Sequence, residues 1–395
     1  MAGAPRGEAG AVSTRPYHEQ VDIMNTLKLR ELISDLPPFT QLFFRGIEPT
    51  TSSRTRIAYA YDLHVFFDYM IQYHPSFQGL ARTEIPVELL DEVRAVNLEE
   101  YMDYLKFYRC GEDRNLERVN QERGIIRKIS SLKTFYNYYF RKEMIRTNPA
   151  ALITLPKLHE KEIIRLDVDE VALLLDQVES GEELTKKQKE YHEKTKNRDL
   201  ALITLLLGTG IRVSECVGLD LEDVDFKNAG IHIHRKGGKE VLIYFGDEVE
   251  EALRLYYEER KRILPMSGHE QAFFLSMQKR RLSVRSVENL VKKYSRTVTT
   301  LKNITPHKLR STYGTNLYRE TGDIYLVADV LGHSDVNTTR RHYAAMEEDR
   351  RRSARNAVRL RENPGAAGDK PEPSGTIPEQ TGTMPETPEI NPEGA

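Results

Sequence analysis

Cysteine is scarce: Cys110 and Cys216 are the only two in 395 residues, and they fall in different regions. That argues against a disulfide scaffold and a cysteine-built zinc site, and makes a reducing cytoplasm the default expectation. Long apolar runs are missing too. The longest, Leu200 to Leu207, covers 8 residues even with Thr204 counted in, against the roughly 20 that a membrane-crossing helix needs. No membrane partner is expected. The opening stretch, MAGAPRGEAGAVSTRP, has no apolar segment, so no secretory leader is expected. The chain offers no tight Asp/Glu cluster of the sort that holds a pair of catalytic metal ions. A repeat of fixed period is also absent.

What is present suits a folded chain with real cores: 39% of residues are hydrophobic and 30% charged. Its length exceeds the size at which one core stops growing, so more than one domain is expected. The net charge of −2 conceals an asymmetry. Residues 361–395 hold 7 acids and 2 bases, which leaves +3 on residues 1–360. Residues 114–146 carry 9 bases against 3 acids, and residues 276–300 carry 7 against 1. Clustered positive charge, rather than the chain total, is the electrostatic footprint of a nucleic-acid partner.

The ends read as tails. Residues 1–15 are small and polar, and 361–395 form an acidic, Pro-rich stretch that cannot bury enough apolar surface to offset ordering entropy. Residues 16–154 read as a helical domain. Thr51, Ser52 and Ser53 offer N-caps for a helix in which Ile57, Tyr61, Val65, Phe66 and Tyr69 share a face. A second helix is expected over Leu98–Tyr108, capped by Asn97, and a third over Asn115–Lys142, with a break near Gly124. On the third, Arg123, Arg127, Lys128 and Lys133 make a basic face. Residues 155–165 lack periodicity and read as a linker. Residues 166–360 form the second domain. Its helices are interrupted by a polar stretch at 178–195, expected to be an exposed insertion. One hairpin stands out: Ile231 and Ile233 alternate with His232 and His234, Gly237-Gly238 turns, and Val241 to Phe245 returns. From Asp247 to about Leu360 the reading is helical, with loops at 265–270 and 303–306. The fold class expected is mainly α with a small antiparallel β-sheet in the C-terminal domain.

Four segments carry polar residues that their surroundings do not explain: GTGIRVSECVGL with Arg212, HRKGGKE at the hairpin tip, TPHKLRSTYGTNLY with His307 and Arg310, and LGHSDVNTTRRHYA with His333 and Tyr343. Singly, each has a bland reading as a surface pair or a packing residue. Together they describe one chemistry. Two guanidiniums can clamp a phosphodiester and stabilise charge on its oxygens. Two imidazoles can donate hydrogen bonds or move protons near neutral pH. A lysine can protonate a leaving alkoxide, and a phenol can attack phosphorus.

In these four segments the sequence resembles the tyrosine recombinases, the phage-integrase and Xer-type site-specific recombinases, over roughly residues 20–355. TGIRVSE matches the first family box, PHKLRSTYGTNL the His-x-x-Arg box and LGHSDVNTT the Leu-Gly-His box. HRKGGKE matches the family's hairpin Gly-Lys-Gly-x-Lys, with Arg235 where the family has its first Gly. The resemblance implies catalytic roles for Arg212, Lys236, His307, Arg310 and His333, with Tyr343 as the nucleophile. Tyr343 lies ten residues after His333, where many members use nine, and His342 fills the nine-residue position.

The resemblance further implies a two-domain, C-shaped clamp on duplex DNA, with no cofactor and no metal. The helical domain would be the core-DNA-binding half. Arg123, Arg127, Lys133, Arg280 and Arg281 would contact phosphates. The expected partners are a duplex with a specific recombination site and further copies or a second recombinase, as a homo- or hetero-tetramer. The place would be the cytoplasm, at the nucleoid. The expected activity is metal-independent cutting and rejoining of DNA through a 3′-phosphotyrosine and a four-way junction, in chromosome dimer resolution or mobile-element integration and excision. The competing readings are a non-catalytic architectural DNA-binding protein on the same fold and a type IB topoisomerase-like relaxing enzyme.

Overall fold

The computed structural model describes residues 15–110, 116–158, 164–235 and 239–333. Lys236, Tyr343, the C-terminal tail and all of the N-terminal tail but Arg15 lie outside that range. The described chain is predominantly helical with two small antiparallel sheets. None of the described helices is long and apolar enough to cross a membrane.

The first core is built by α1 (Tyr17–Ser34), α2 (Thr40–Ile47), α3 (Ser53–Tyr73), α4 (Ala95–Tyr104) and α5 (Glu122–Arg141). Helix α3 starts where Ser52 accepts the Thr55 amide, as its N-cap position predicts. Its buried face is Leu63, Phe66, Phe67, Tyr69 and Met70, while Tyr61, expected on that face, is 49% exposed. Against it lies α5 with Ile125, Ile129, Leu132, Phe135, Tyr136 and Tyr139 buried, the three-and-four spacing read from the sequence. The aromatic rings meet edge-on, as between Phe43 and Phe135 at 5.2 Å.

Three expectations for this half are corrected. Helix α4 begins after Arg94, and Asn97 caps it from within its first turn by accepting the Arg94 amide at 3.0 Å. The chain then leaves helix for strand: β1 (Phe107–Cys110) pairs with β2 (Leu116–Val119), Phe107 opposite Val119. The helix expected from Asn115 therefore starts only at Glu122, with Gly124 inside its first turn. Lys128 does not belong to the open basic face. It is buried beside Asp62, which is 1% exposed and also takes both guanidinium nitrogens of Arg127 at 2.6 Å.

The second core surrounds α8 (Lys196–Thr209), whose Ala201, Leu202, Ile203, Leu205 and Leu206 are buried on nearly every side. It is preceded by α6 (Val168–Ser180) and α7 (Lys186–His192) and followed by the short α9 (Val213–Gly218). A three-stranded sheet comes next: β3 (Val224–Asp225), β4 (Gly230–Arg235) and β5 (Lys239–Tyr244), in that order. The hairpin register puts Ile231 opposite Ile243 and Arg235 opposite Lys239. Ile231, Ile233 and Ile243 face the core and His232 and His234 face out, which is the period-two pattern of the sequence. Then come α10 (Asp247–Arg260), α11 (Val284–Val298), α12 (Pro306–Thr321) and α13 (Ile324–Leu331). Residues 261–283, read as mostly helix, are irregular and close with a bridge between Leu275 and Arg281.

The 178–195 stretch is not simply an exposed insertion. Leu184 and His192 are buried, and His192 Nδ1 lies 3.0 Å from the Tyr294 hydroxyl. Tyr294 in turn donates to Asp199 at 2.9 Å, with Thr195 donating to the same carboxylate. Burial and the Asp199 charge push the Tyr294 phenol well above its ordinary pKa.

Candidate active site

Helix α13 ends in a turn that most of the predicted residues share. Gly332 adopts φ +60°, its amide donates to Asp329 O at 2.8 Å, and the His333 amide donates to Ala328 O at 2.9 Å. This paired closure is a Schellman motif. Such a closure leaves the last carbonyls of the helix without amide partners, at the negative end of its dipole.

Three arginines from three distant segments donate to the carbonyls of residues 329–332, of which Asp329 O also holds the Gly332 amide. Arg310, one turn inside α12 and 5% exposed, donates to Leu331 O and, at 2.6 Å, to Gly210 O. Arg212 donates to Gly332 O at 3.1 Å. Arg235, the last residue of β4, donates to Val330 O at 2.6 Å and Asp329 O at 3.2 Å.

Each arrives by a local necessity. Helix α8 stops because Gly210 adopts φ +63°, which turns the chain so that Ile211 is buried and Arg212 caps α9. A Cβ on Gly210 would lie 2.3 Å from Tyr313 Cδ1 and 3.0 Å from Leu331 Cδ2, so the turn also lets α12 and α13 approach. Arg212 is oriented by Glu215, which accepts its Nη1 and its backbone amide, each at 2.7 Å. At the start of α12, Thr305 and Pro306 set the first turn. His307 on that turn is exposed while Arg310 points inward.

Arg212, Arg310 and the His333 backbone thus meet around one turn, and His307 lies on the helix that supplies Arg310. Lys236 and Tyr343 lie outside the described residues. Glu215 and Arg235 were not singled out as functional by the sequence reading. The three-residue spacing from Arg212 to Glu215 is that of a capping box, a signal available in the sequence. Arg235 showed only as a departure from the family hairpin. Among the described residues no group of His, Cys, Asp and Glu has a metal-holding arrangement.

The predicted phosphate contacts divide. Arg123 and Arg280 are exposed. Arg127 is half-exposed and pairs with Asp62, and Lys133 donates to Ile153 O at 2.8 Å. Arg281 is taken up by the fold: its Nη1 donates to Val217, Gly218 and Leu219 carbonyls at 3.1, 3.0 and 2.9 Å, and its Nη2 pairs with Asp220.

The fold is that of several solved recombinases. The chain matches a XerH site-specific recombinase bound to a palindromic difH substrate with TM-score 0.57 and 18% identity, over 89% of this chain and 98% of the other. It matches the Tn1549 transposon integrase in complex with circular intermediate DNA with TM-score 0.56 and 21% identity, over 79% of this chain and 99% of the other. What they share with this chain is its fold, mostly helical with small antiparallel sheets. Residues 165–350 match the phage integrase family. Tyrosine recombinase XerC of Caldanaerobacter subterraneus subsp. tengcongensis is 32% identical over 349 residues, 84% of this chain and 90% of that protein. Tyrosine recombinase XerD of Staphylococcus epidermidis is 29% identical over 301 residues, 75% of this chain and 90% of that protein. The chain belongs to the tyrosine recombinases of the phage integrase family, enzymes that transfer DNA strands.

Proposed function

We propose that the protein cuts and rejoins duplex DNA at a specific recombination site through a 3′-phosphotyrosine, as a tetramer passing through a four-way junction. The observation that carries this is the meeting of Arg212 and Arg310 on consecutive carbonyls beside His333. Arg212 is open to an arriving phosphodiester, and Arg310, buried behind the same run of carbonyls, adds its fixed charge, so the site need not reorganise during the reaction. In this reading the Tyr343 oxygen bonds to phosphorus as the bond from phosphorus to the 5′-oxygen breaks. The phenol loses its proton to a neighbouring base, and Lys236 supplies one to the departing 5′-oxygen. His307 and His333 donate to the phosphate oxygens or carry the phenolic proton. Rejoining is the same step reversed by the 5′-hydroxyl of a partner strand, so the bond energy is kept and no nucleotide is needed. The exposed Arg123 and Arg280 serve as phosphate contacts.

The test uses a nicked suicide duplex drawn from the DNA flanking the gene and selected by binding. The wild-type chain should form a covalent adduct, and Tyr343→Phe, which removes only the oxygen, should bind the duplex and form none. An adduct mapped to another tyrosine in that variant would overturn the assignment of Tyr343. Failure of the wild-type chain to form any adduct would support the architectural reading. Strand exchange between two duplexes separates recombination from simple relaxation.

A further inference from the structure

We propose that Arg235 is a positioning residue for strand transfer, pinning the end of β4 to the C-terminal end of α13 so that the hairpin is held in fixed register with Arg212 and Arg310. The inference rests on the function proposed above and adds a residue to it. The two bonds from Arg235 reach carbonyls 94 and 95 positions away in sequence. They join the same helix end that Arg310 and Arg212 hold from the other elements. The contact is close: a Cβ on Gly332 would lie 2.4 Å from Arg235 Nη1, so the glycine both closes the helix and leaves room for the guanidinium. Arg235 pairs with Lys239 in the last rung of the hairpin ladder, so holding it holds that end of the described hairpin. A planar, two-pronged donor suits this position because it spans two successive carbonyls, and a cation is favoured at a helix C-terminus. The family's hairpin pattern has a glycine here, which has no side chain to make either bond. In this chain the hairpin and the Leu331–Gly332–His333 turn are tied together instead.

Lys236 follows Arg235 directly in sequence. If the hairpin must be held to deliver a proton to the leaving oxygen, loosening it should matter only when that proton is needed. The experiment compares single-turnover cleavage of two suicide duplexes, one with the natural 5′-bridging oxygen and one with sulfur, whose thiolate leaves unprotonated. The full-length chain is tested as wild type, Arg235→Gly, Arg235→Lys and Lys236→Ala. Arg235→Gly should bind the duplex with unchanged Kd, cleave the oxygen substrate roughly 100-fold more slowly, the scale of a 1 Å misplacement, and cleave the sulfur substrate close to the wild-type rate. Arg235→Lys should fall between, because an ammonium cannot span both carbonyls, and it serves if the glycine variant does not fold. Equal slowing of both substrates, or slowing of neither, would overturn the positioning role. A Lys236→Ala chain that sulfur fails to rescue would instead overturn the role given to Lys236. Arg235 would then be judged on its oxygen-substrate rate at unchanged Kd, where a wild-type rate sinks the proposal.

Discussion

Arg310 and Arg212 donate to neighbouring carbonyls, Leu331 and Gly332, but only Arg310 is sealed inside the fold. The Arg212 side chain is 42% exposed. The pair therefore combines a guanidinium that the core depends on with one that an arriving phosphate can reach. A single helix end holds both, which sets their spacing before any substrate is bound.

Separate consequences follow for stability and for chemistry. Arg310→Ala should abolish adduct formation and also lower stability by about 1–3 kcal/mol, the cost of leaving a buried carbonyl unsatisfied. Arg212→Gln should also abolish the adduct, yet melt closer to wild type, because the amide can still donate to Glu215. Thermal melts run beside the adduct assay check this. An Arg310→Ala chain with a wild-type melting temperature would show that the Gly210 and Leu331 carbonyls do not rely on it.

Gly210 tests the scaffold without touching a reacting group. Alanine there faces both φ +63° and a 2.3 Å approach to Tyr313. Strain of this kind costs about 1–3 kcal/mol, and Arg310 would lose the placement of its Gly210 carbonyl. Gly210→Ala should lower the denaturant midpoint and slow cleavage, while duplex binding persists. Normal cleavage at normal stability would mean that the α8–α9 turn does not set the position of Arg310.

How much of this was legible in sequence follows from how local each signal is. The α3 and α5 faces and the β4–β5 hairpin rest on short-range periodicity, and all were readable, apart from Tyr61. The β1–β2 hairpin was not, because Phe107–Cys110 and Leu116–Val119 are only four residues each and adjoin helix-like patterns. Arg212, His307, Arg310 and His333 were found by motif, since each sits in a distinctive box. The destination of Arg310 was hidden. Nothing within a few residues of it tells that its partners are the carbonyls of Gly210 and Leu331. Burial of His192 was hidden for the same reason, because Tyr294 lies 102 positions away.

Salt dependence should separate the arginines of α5. Duplex affinity should fall steeply between about 50 and 200 mM salt, each neutralised phosphate adding about −0.9 to the log–log slope. Arg123→Ala should flatten that slope by about one phosphate. Arg127→Ala should change it little, since Asp62 already holds its guanidinium bidentately. The carboxylate itself is structural. Asp62→Asn would leave Lys128 with an uncompensated buried charge, a loss of about 3–5 kcal/mol. Titrations in which Arg127→Ala flattens the slope as much as Arg123→Ala would show that Arg127 turns from Asp62 to phosphate on binding.

The last prediction concerns His64, a residue of α3 whose ring meets α1 at the Leu32 carbonyl. Its Nε2 lies 2.9 Å from Leu32 O and so carries the hydrogen that donates there. Nδ1 is then the lone pair that accepts from Arg82. Protonating it would set a positive ring against a guanidinium, with Asp35 at 3.8 Å from the ring and Asp68 at 3.5 Å from the same Arg82 nitrogen as partial relief. Burial first, and Arg82 after it, hold the His64 pKa below its ordinary 6.5. A depressed folded-state value means that the unfolded chain binds the proton more readily. The stability that His64 contributes is therefore complete above pH 6.5 and lost as pH falls through the folded value. Burial raises the Asp68 carboxyl, which works in the opposite sense and in the carboxylate range. His64→Gln keeps a donor for Leu32 O and takes up no proton. Urea midpoints measured from about pH 7 to pH 5 should fall more for the wild-type chain than for His64→Gln, the difference growing below the unfolded imidazole pKa of about 6.5. Parallel curves for the two chains would mean that His64 titrates alike in the folded and unfolded states, and the Arg82 contact would then not govern its proton.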